Sequence, residues 1–159
     1  MTSQVLSTQV HEAWTSFLRG HAALTRELNA LLVADHGLTI NDYEVLLRLA
    51  RAPDCRLKRV ELAQSVLLTP SGITRLLDGL QSAGLVEKAS CETDARVTYA
   101  ALTDAGREKL GEASESHLAD IERVFTSRFD EAELGTLAEL LGRLGGGGSA
   151  GDCELPAGV

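Results

Sequence analysis

A mainly helical fold carrying one small β-hairpin is predicted by three observations. Apolar residues recur at helical spacing over most of the chain. Two β-rich runs, "LVEKAS" (85–90) and "ARVTYAAL" (95–102), flank a polar "CETD" (91–94). Aromatic residues are only 4% of the sequence, so leucine, valine and alanine must fill the core, as suits packed helices. The 159 residues are enough for one compact domain with extensions.

The elements follow in order. Val10, Ala13, Trp14, Phe17, Leu18, His21, Leu24, Leu28, Leu31 and Leu32 form the stripe of a long first helix that stops near Gly37. Thr39 reads as the N-cap of a second helix, with Asp42 in the capping-box position. Tyr43, Leu46, Leu47 and Ala50 are its inner face, and Pro53 in "RAPDCRL" (51–57) breaks it. A short helix is expected over 59–66. Lys58, where a cap should sit, has no acceptor, so a soft start is expected there.

Thr69 is the next N-cap, and Pro70 suits the first helical position. Ile73, Leu76, Leu77 and Leu80 make the buried stripe of this helix, and Gly84 fits a left-handed residue that ends it. The hairpin comes next, read as two strands. Thr103 caps a long helix running to about Ser127, with Leu110, His117, Leu118, Ile121, Val124 and Phe125 on one side. His117 is expected at a subunit interface. Asp130 and Glu133 form a capping box for a last helix, striped by Leu134, Leu137, Leu140, Leu141 and Leu144. The glycine-rich 145–159 reads as a flexible tail.

The net charge of −8 argues against a chain that coats nucleic acid indiscriminately. The charge is uneven, however. Residues 51–103 hold seven basic against six acidic residues, a balance of +1 that leaves −9 on the flanks. The N-terminus shows no signal-peptide pattern and no run reaches the roughly 18 apolar residues of a membrane helix, so a cytoplasmic protein is expected. Cys55, Cys91 and Cys153 are too far apart to read as a metal site or a disulfide framework. No phosphate-binding glycine loop, zinc-protease motif or nucleophile elbow is present, which argues against an enzyme, and no cofactor is implied.

Short helix, tight turn, helix and hairpin in that order describe a winged helix-turn-helix. Its second helix must bury one face and offer the other to a DNA major groove. The outward set is read as Ser71, Gly72, Thr74, Arg75 and Asp78. Small residues at the helix start (Thr69, Pro70, Ser71, Gly72) let the backbone approach phosphates, which a helix N-terminus favours. Arg75 is long enough for bidentate pairing with a guanine edge. Asp94 and Arg96 form a D-x-R pair at the hairpin tip, where an arginine can enter a narrow minor groove and the aspartate can hold the turn. The bland alternatives are a solvated Arg75 paired with Asp78, and an Asp94–Arg96 salt bridge.

"ELAQS" (61–65), "TPSGITRLLDGLQSAGLVEK" (69–88), the D-x-R of "TDARV" (93–97) and "LTDAGREKL" (102–110) together resemble the MarR family of bacterial transcription regulators. The resemblance spans roughly residues 10–144. It implies an obligate homodimer, with residues 1–37 and 103–144 as intertwined dimerisation helices and 38–102 as the DNA-binding winged helix-turn-helix. It also implies a palindromic operator on double-stranded DNA, repression, and release by a small, often phenolic, effector in the cleft between the two regions. Trp14, His21, His36, Tyr43 and Arg48 are the candidate effector-binding residues. The wing departs from the family in being poor in basic residues, with Glu92 nearby and Ala95 and Val97 flanking Arg96. Lys58 replaces the usual capping hydroxyl. Both departures point to weaker or more salt-sensitive DNA affinity. Two other functions stay open: a redox sensor using Cys91, whose thiol has Lys88 and Arg96 near in sequence, and a protein-interaction module that keeps the winged helix only as a scaffold.

Overall fold

The computed structural model describes residues 7–66, 68–91, 94 and 96–145. Glu92 and Ala95, Cys153 and all of the glycine-rich tail but Gly145 lie outside the described residues. Helix α1 spans Thr8–His36, α2 Ile40–Arg51, α3 Arg59–Ser65, α4 Pro70–Ser82, α5 Asp104–Val124 and α6 Glu131–Gly142. The strands are β1 Arg56–Lys58, β2 Val86–Ser90 and β3 Thr98–Leu102.

Local chemistry sets most of the boundaries. Gly37 ends α1 at φ +68°, its N–H donating to the Val33 carbonyl. The Thr39 hydroxyl accepts from the Asp42 N–H, and the Asp42 carboxylate accepts from the Thr39 N–H at 2.8 Å, a complete capping box. Asp130 and Glu133 do the same for α6. Gly84, at φ +74°, lets α4 close with the Leu85 N–H on the Leu80 carbonyl.

Two expectations are corrected, and a third is refined. The hairpin is part of a three-stranded antiparallel sheet in the order β1-β3-β2, with Leu57 opposite Ala100 and Lys88 opposite Ala100 on its other side. The segment read as a break after α2 supplies the extra strand: Pro53–Cys55 make one 3-10 turn, with Asp54 and Cys55 both at positive φ, and the chain then pairs with β3. Arg56 packs over the Tyr99 ring at 5.3 Å across that ladder. Lys58 gives α3 no side-chain cap, as expected, but the Glu61 carboxylate accepts from the Lys58 N–H at 3.0 Å, the half of a capping box that needs no hydroxyl at Lys58. The fifth helix stops at Val124 and passes into a 3-10 turn at Thr126–Arg128.

The core joins the end of α1 (Leu32) to α2 (Val45, Leu46, Leu49), α3 (Leu62), α4 (Ile73, Leu77, Leu80), the sheet (Val86, Ala100) and α5 (Leu110, Ala113). Each fully buried leucine here contributes about 1.5–3 kcal/mol of burial. The N-terminal half of α1 is different. Val10, Trp14, Phe17 and Leu18 are exposed, Trp14 at 56%, and α6 buries none of its residues.

The base of the wing is joined tightly to α5. The Thr103 hydroxyl donates to the Gly84 carbonyl at 2.7 Å and also accepts from the Gly106 N–H as the cap of α5. The Thr103 N–H donates to the Leu85 carbonyl. Gly106 is buried so closely against that carbonyl that a Cβ would lie 2.1 Å from its oxygen.

Candidate nucleic-acid interface

Helix α4 is amphipathic in the way a reading helix requires. Ile73, Leu77 and Leu80 are buried against the core, and Leu76 is half-buried. The opposite side carries Ser71, Arg75 and Asp78, all exposed. Gly72 and Thr74 stand half-buried between the two faces, less outward than the sequence suggests.

The start of the helix is rigidly made. The Thr69 hydroxyl accepts from the Gly72 N–H at 3.1 Å and lies 3.2 Å from the Ser71 hydroxyl. Pro70 takes the first helical turn, where no N–H is needed. A Cβ on Gly72 would meet the Thr69 hydroxyl at 3.1 Å, so any larger residue there crowds the cap.

Arg75 is exposed and forms no ion pair among the described residues, so the solvated pair with Asp78 is not made. At the wing tip, the Asp94 carboxylate accepts from the Arg96 N–H at 2.9 Å, and the Val97 N–H donates to the Asp94 carbonyl. Asp94 therefore shapes the turn through the backbone and leaves the exposed Arg96 guanidinium without a salt bridge among the described residues.

A residue absent from the sequence-level set stands beside these. Arg59, in the first turn of α3, donates through Nη2 to the Thr74 hydroxyl. A cleft of about 620 Å³ opens between α3, the start of α4 and the wing, and Lys58, Arg59, Thr74 and Arg96 lie on its walls.

The five candidate effector residues do not form one group. His36 and Tyr43 meet α5: His36 Nε2 lies 2.6 Å from the Ser116 hydroxyl, and the Tyr43 hydroxyl lies 3.2 Å from that of Ser114. The Tyr43 ring also meets that of His117 in a tilted contact, centroids 4.8 Å apart. Trp14 and His21 lie on the exposed part of α1, in a ring ladder through Phe17 at 6.4 and 6.5 Å. Along α1, Trp14 is about 33 Å from His36 at 1.5 Å per residue. Arg48 points outward and pairs with Glu44 at 2.8 Å.

His117, expected at a subunit interface, is instead internal. It is 7% exposed and its Nδ1 has no hydrogen-bond partner among the described residues. Burial holds its pKa below the ordinary histidine value, with Asp120 opposing weakly. Cys91 is half-buried at the end of β2, and Cys55 accepts from Arg107 Nη2 at 2.7 Å.

No helix of the described residues is long and apolar enough to cross a membrane, and no cluster of metal-ligating side chains occurs among them. The profile of the MarR family matches residues 36–97, from the end of α1 to the wing. The chain is 33% identical to the transcriptional repressor YetL of Bacillus subtilis over 70% of its own length and 66% of that protein, just under two thirds of it. It is 31% identical to the transcriptional regulator MhqR of the same organism, over 69% of this chain and 74% of that one. Sco3205, a MarR family regulator from Streptomyces coelicolor solved in complex with DNA, superposes with a TM-score of 0.83 at 26% identity, covering 89% of this chain and 92% of its own. These relatives are transcription regulators, not enzymes. The chain belongs to the MarR family of transcriptional regulators.

Proposed function

We propose that this protein is a homodimeric regulator that binds an inverted-repeat operator, represses from it, and lets go when a small effector binds. The observation that carries the DNA-binding part is Arg75, exposed and without an ion pair among the described residues, on a helix whose other face is locked into the core. In this reading α4 enters the major groove and Arg75 pairs with a guanine edge. The capped start of the helix, with Thr69, Pro70, Ser71 and Gly72, approaches the phosphates, and Arg96 enters the flanking minor groove. The DNA complex of Sco3205, which shares the fold at a TM-score of 0.83, supports it.

The exposed stripe of Val10, Trp14, Phe17 and Leu18 on α1, with Leu140, Leu141 and Leu144 at the other end of the chain, supports a second copy as partner. A two-fold dimer presents two copies of α4, which suits half-sites about 34 Å apart, one helical turn of DNA. An effector acts by population shift: it binds preferentially to dimers whose α4 spacing does not match successive grooves. The contacts of His36 and Tyr43 with Ser116 and Ser114 of α5 support an effector site at this polar seam.

The test is a selection of bound duplexes from a random pool at low salt. An enriched inverted repeat with half-sites about ten base pairs apart is expected. A folded protein that enriches nothing would refute the DNA reading and favour the winged helix as a protein-binding scaffold.

A further inference from the structure

We infer that Arg59, pinned by Thr74, grips the DNA backbone strand that runs between the recognition helix and the wing. This rests on the proposed docking of α4 in the major groove and Arg96 in the adjacent minor groove. One sugar-phosphate strand separates those two grooves, so it passes between α4 and the wing tip. The cleft of about 620 Å³ lies in that place.

Three cations from two parts of the chain face it: the neighbours Lys58 and Arg59, where β1 passes into α3, and Arg96 on the wing. Among the described residues no carboxylate lines it, although the chain as a whole carries −8. The rest of the wall is uncharged and largely apolar, which strengthens attraction between the cations and a phosphate.

Arg59 is the half-buried member of the three. Its contact with the Thr74 hydroxyl uses one of five N–H donors, and no ion pair engages it among the described residues. A free arginine loses up to about 2 kcal/mol of rotamer freedom when immobilised. Thr74 restricts the side chain before DNA arrives. Thr74, read from the sequence as part of the outward face of the helix, is thereby a positioning residue for Arg59. Phosphate contacts set register and carry no sequence information. The groove therefore adds affinity on the side where the wing is poor in charge.

The test uses the full-length protein and the operator that the wild type enriches, titrated over a salt series by fluorescence anisotropy. Arg59→Gln is expected to weaken binding about tenfold at low salt, the loss for one charged hydrogen-bonded contact. The loss should be equal for all operator variants, with the slope of log K against log salt smaller by about one. Thr74→Val is expected to give a smaller loss, and the double variant to bind no more weakly than Arg59→Gln alone. A wild-type salt slope in Arg59→Gln overturns the assignment, as does a changed base preference at constant slope. Lys58→Gln, which leaves the Thr74 contact intact, is expected to lower the slope too and serves if Arg59→Gln does not fold. Failure of the wild type to enrich any duplex would instead sink the DNA reading on which the inference stands.

Discussion

Replacing Gly106 by alanine adds one methyl group at the most crowded of the described glycines. The new Cβ would lie 2.1 Å from the Leu85 carbonyl oxygen, 2.8 Å from Leu102 Cδ1 and 3.0 Å from the Leu85 carbonyl carbon. Ordinary contact begins at 3.4 Å, so the oxygen is about 1.3 Å too close. Backbone cannot yield as a flexible side chain does. Either the first turn of α5 lifts or Leu85 retreats, and Leu85 already accepts from the Thr103 N–H. Overpacking of this kind costs about 1–3 kcal/mol, and weakening the Thr103 hydrogen bond adds about 1 kcal/mol. The better helix propensity of alanine returns about 1 kcal/mol. A net loss of about 1–3 kcal/mol follows. Urea unfolding at one fixed protein concentration measures it, since assembly makes apparent stability concentration-dependent. Gly79→Ala in α4 is the control. It meets nothing within 4 Å, so propensity alone acts and stability should rise by up to about 1 kcal/mol. Equal midpoints for Gly106→Ala and wild type would refute the close approach of α5 to the wing base.

Other perturbations separate the remaining roles. Arg75→Ala should cost about 1–3 kcal/mol at a single base position while other positions keep their preference; operator variants titrated one base at a time would show it, and a uniform loss would count against base reading. His117 has its pKa held below about 6.5 by burial, so between the two values the unfolded chain binds a proton that the folded chain does not. Stability should therefore fall as pH drops through about 6.5, and His117→Leu should remove that part of the slope; parallel urea midpoints for the two proteins across this range would contradict it. Replacing Trp14 and Phe17 together by aspartate on the exposed face of α1 should shift the protein to monomer in sedimentation, with little loss of helix content; an unchanged sedimentation coefficient would place the subunit contact elsewhere.

What was legible in the sequence was chemistry that acts over three or four residues. Thr39 with Asp42, Thr69 with Pro70, Thr103, and Asp130 with Glu133 each announce a helix start, because cap and helix are neighbours in the chain. The outward position of Arg75 on α4 and the turn made by Asp94 are local in the same way. What escaped acts over long separations or lacks a local signature. Strand β1 has three residues and exists only because β3, about forty positions later, pairs with it. The Arg59–Thr74 contact spans 15 residues and joins two helices, and nothing near Arg59 marks it. Tyr43 meets Ser114 across 71 positions. A hint was present for that seam: Ser114 and His117 sit three apart on the side of α5 that otherwise faces the core, where polar residues need a partner. Glu61, three residues after Lys58, carries the reciprocal half of a capping box, a local signal that stands even where the cap position has no hydroxyl.

The joint of Gly84, Leu85, Thr103 and Gly106 makes α5 the arm of a lever. With its 21 residues rising 1.5 Å each, this helix is about 31 Å long. A tilt of only about 5° about its far end carries Thr103 through about 2.7 Å, by the same dimensions. Two hydrogen bonds from Thr103 and the close approach of Gly106 to Leu85 tie the helix to the base of the wing, and a joint held this way would carry wing and recognition helix with it as one piece. In the proposed dimer two such arms swing in opposite senses, so the gap between the reading heads changes by up to about twice that distance. An effector lodged near Ser114 and Ser116 would press at mid-arm, far from any base, and still throw both heads out of step with the double helix.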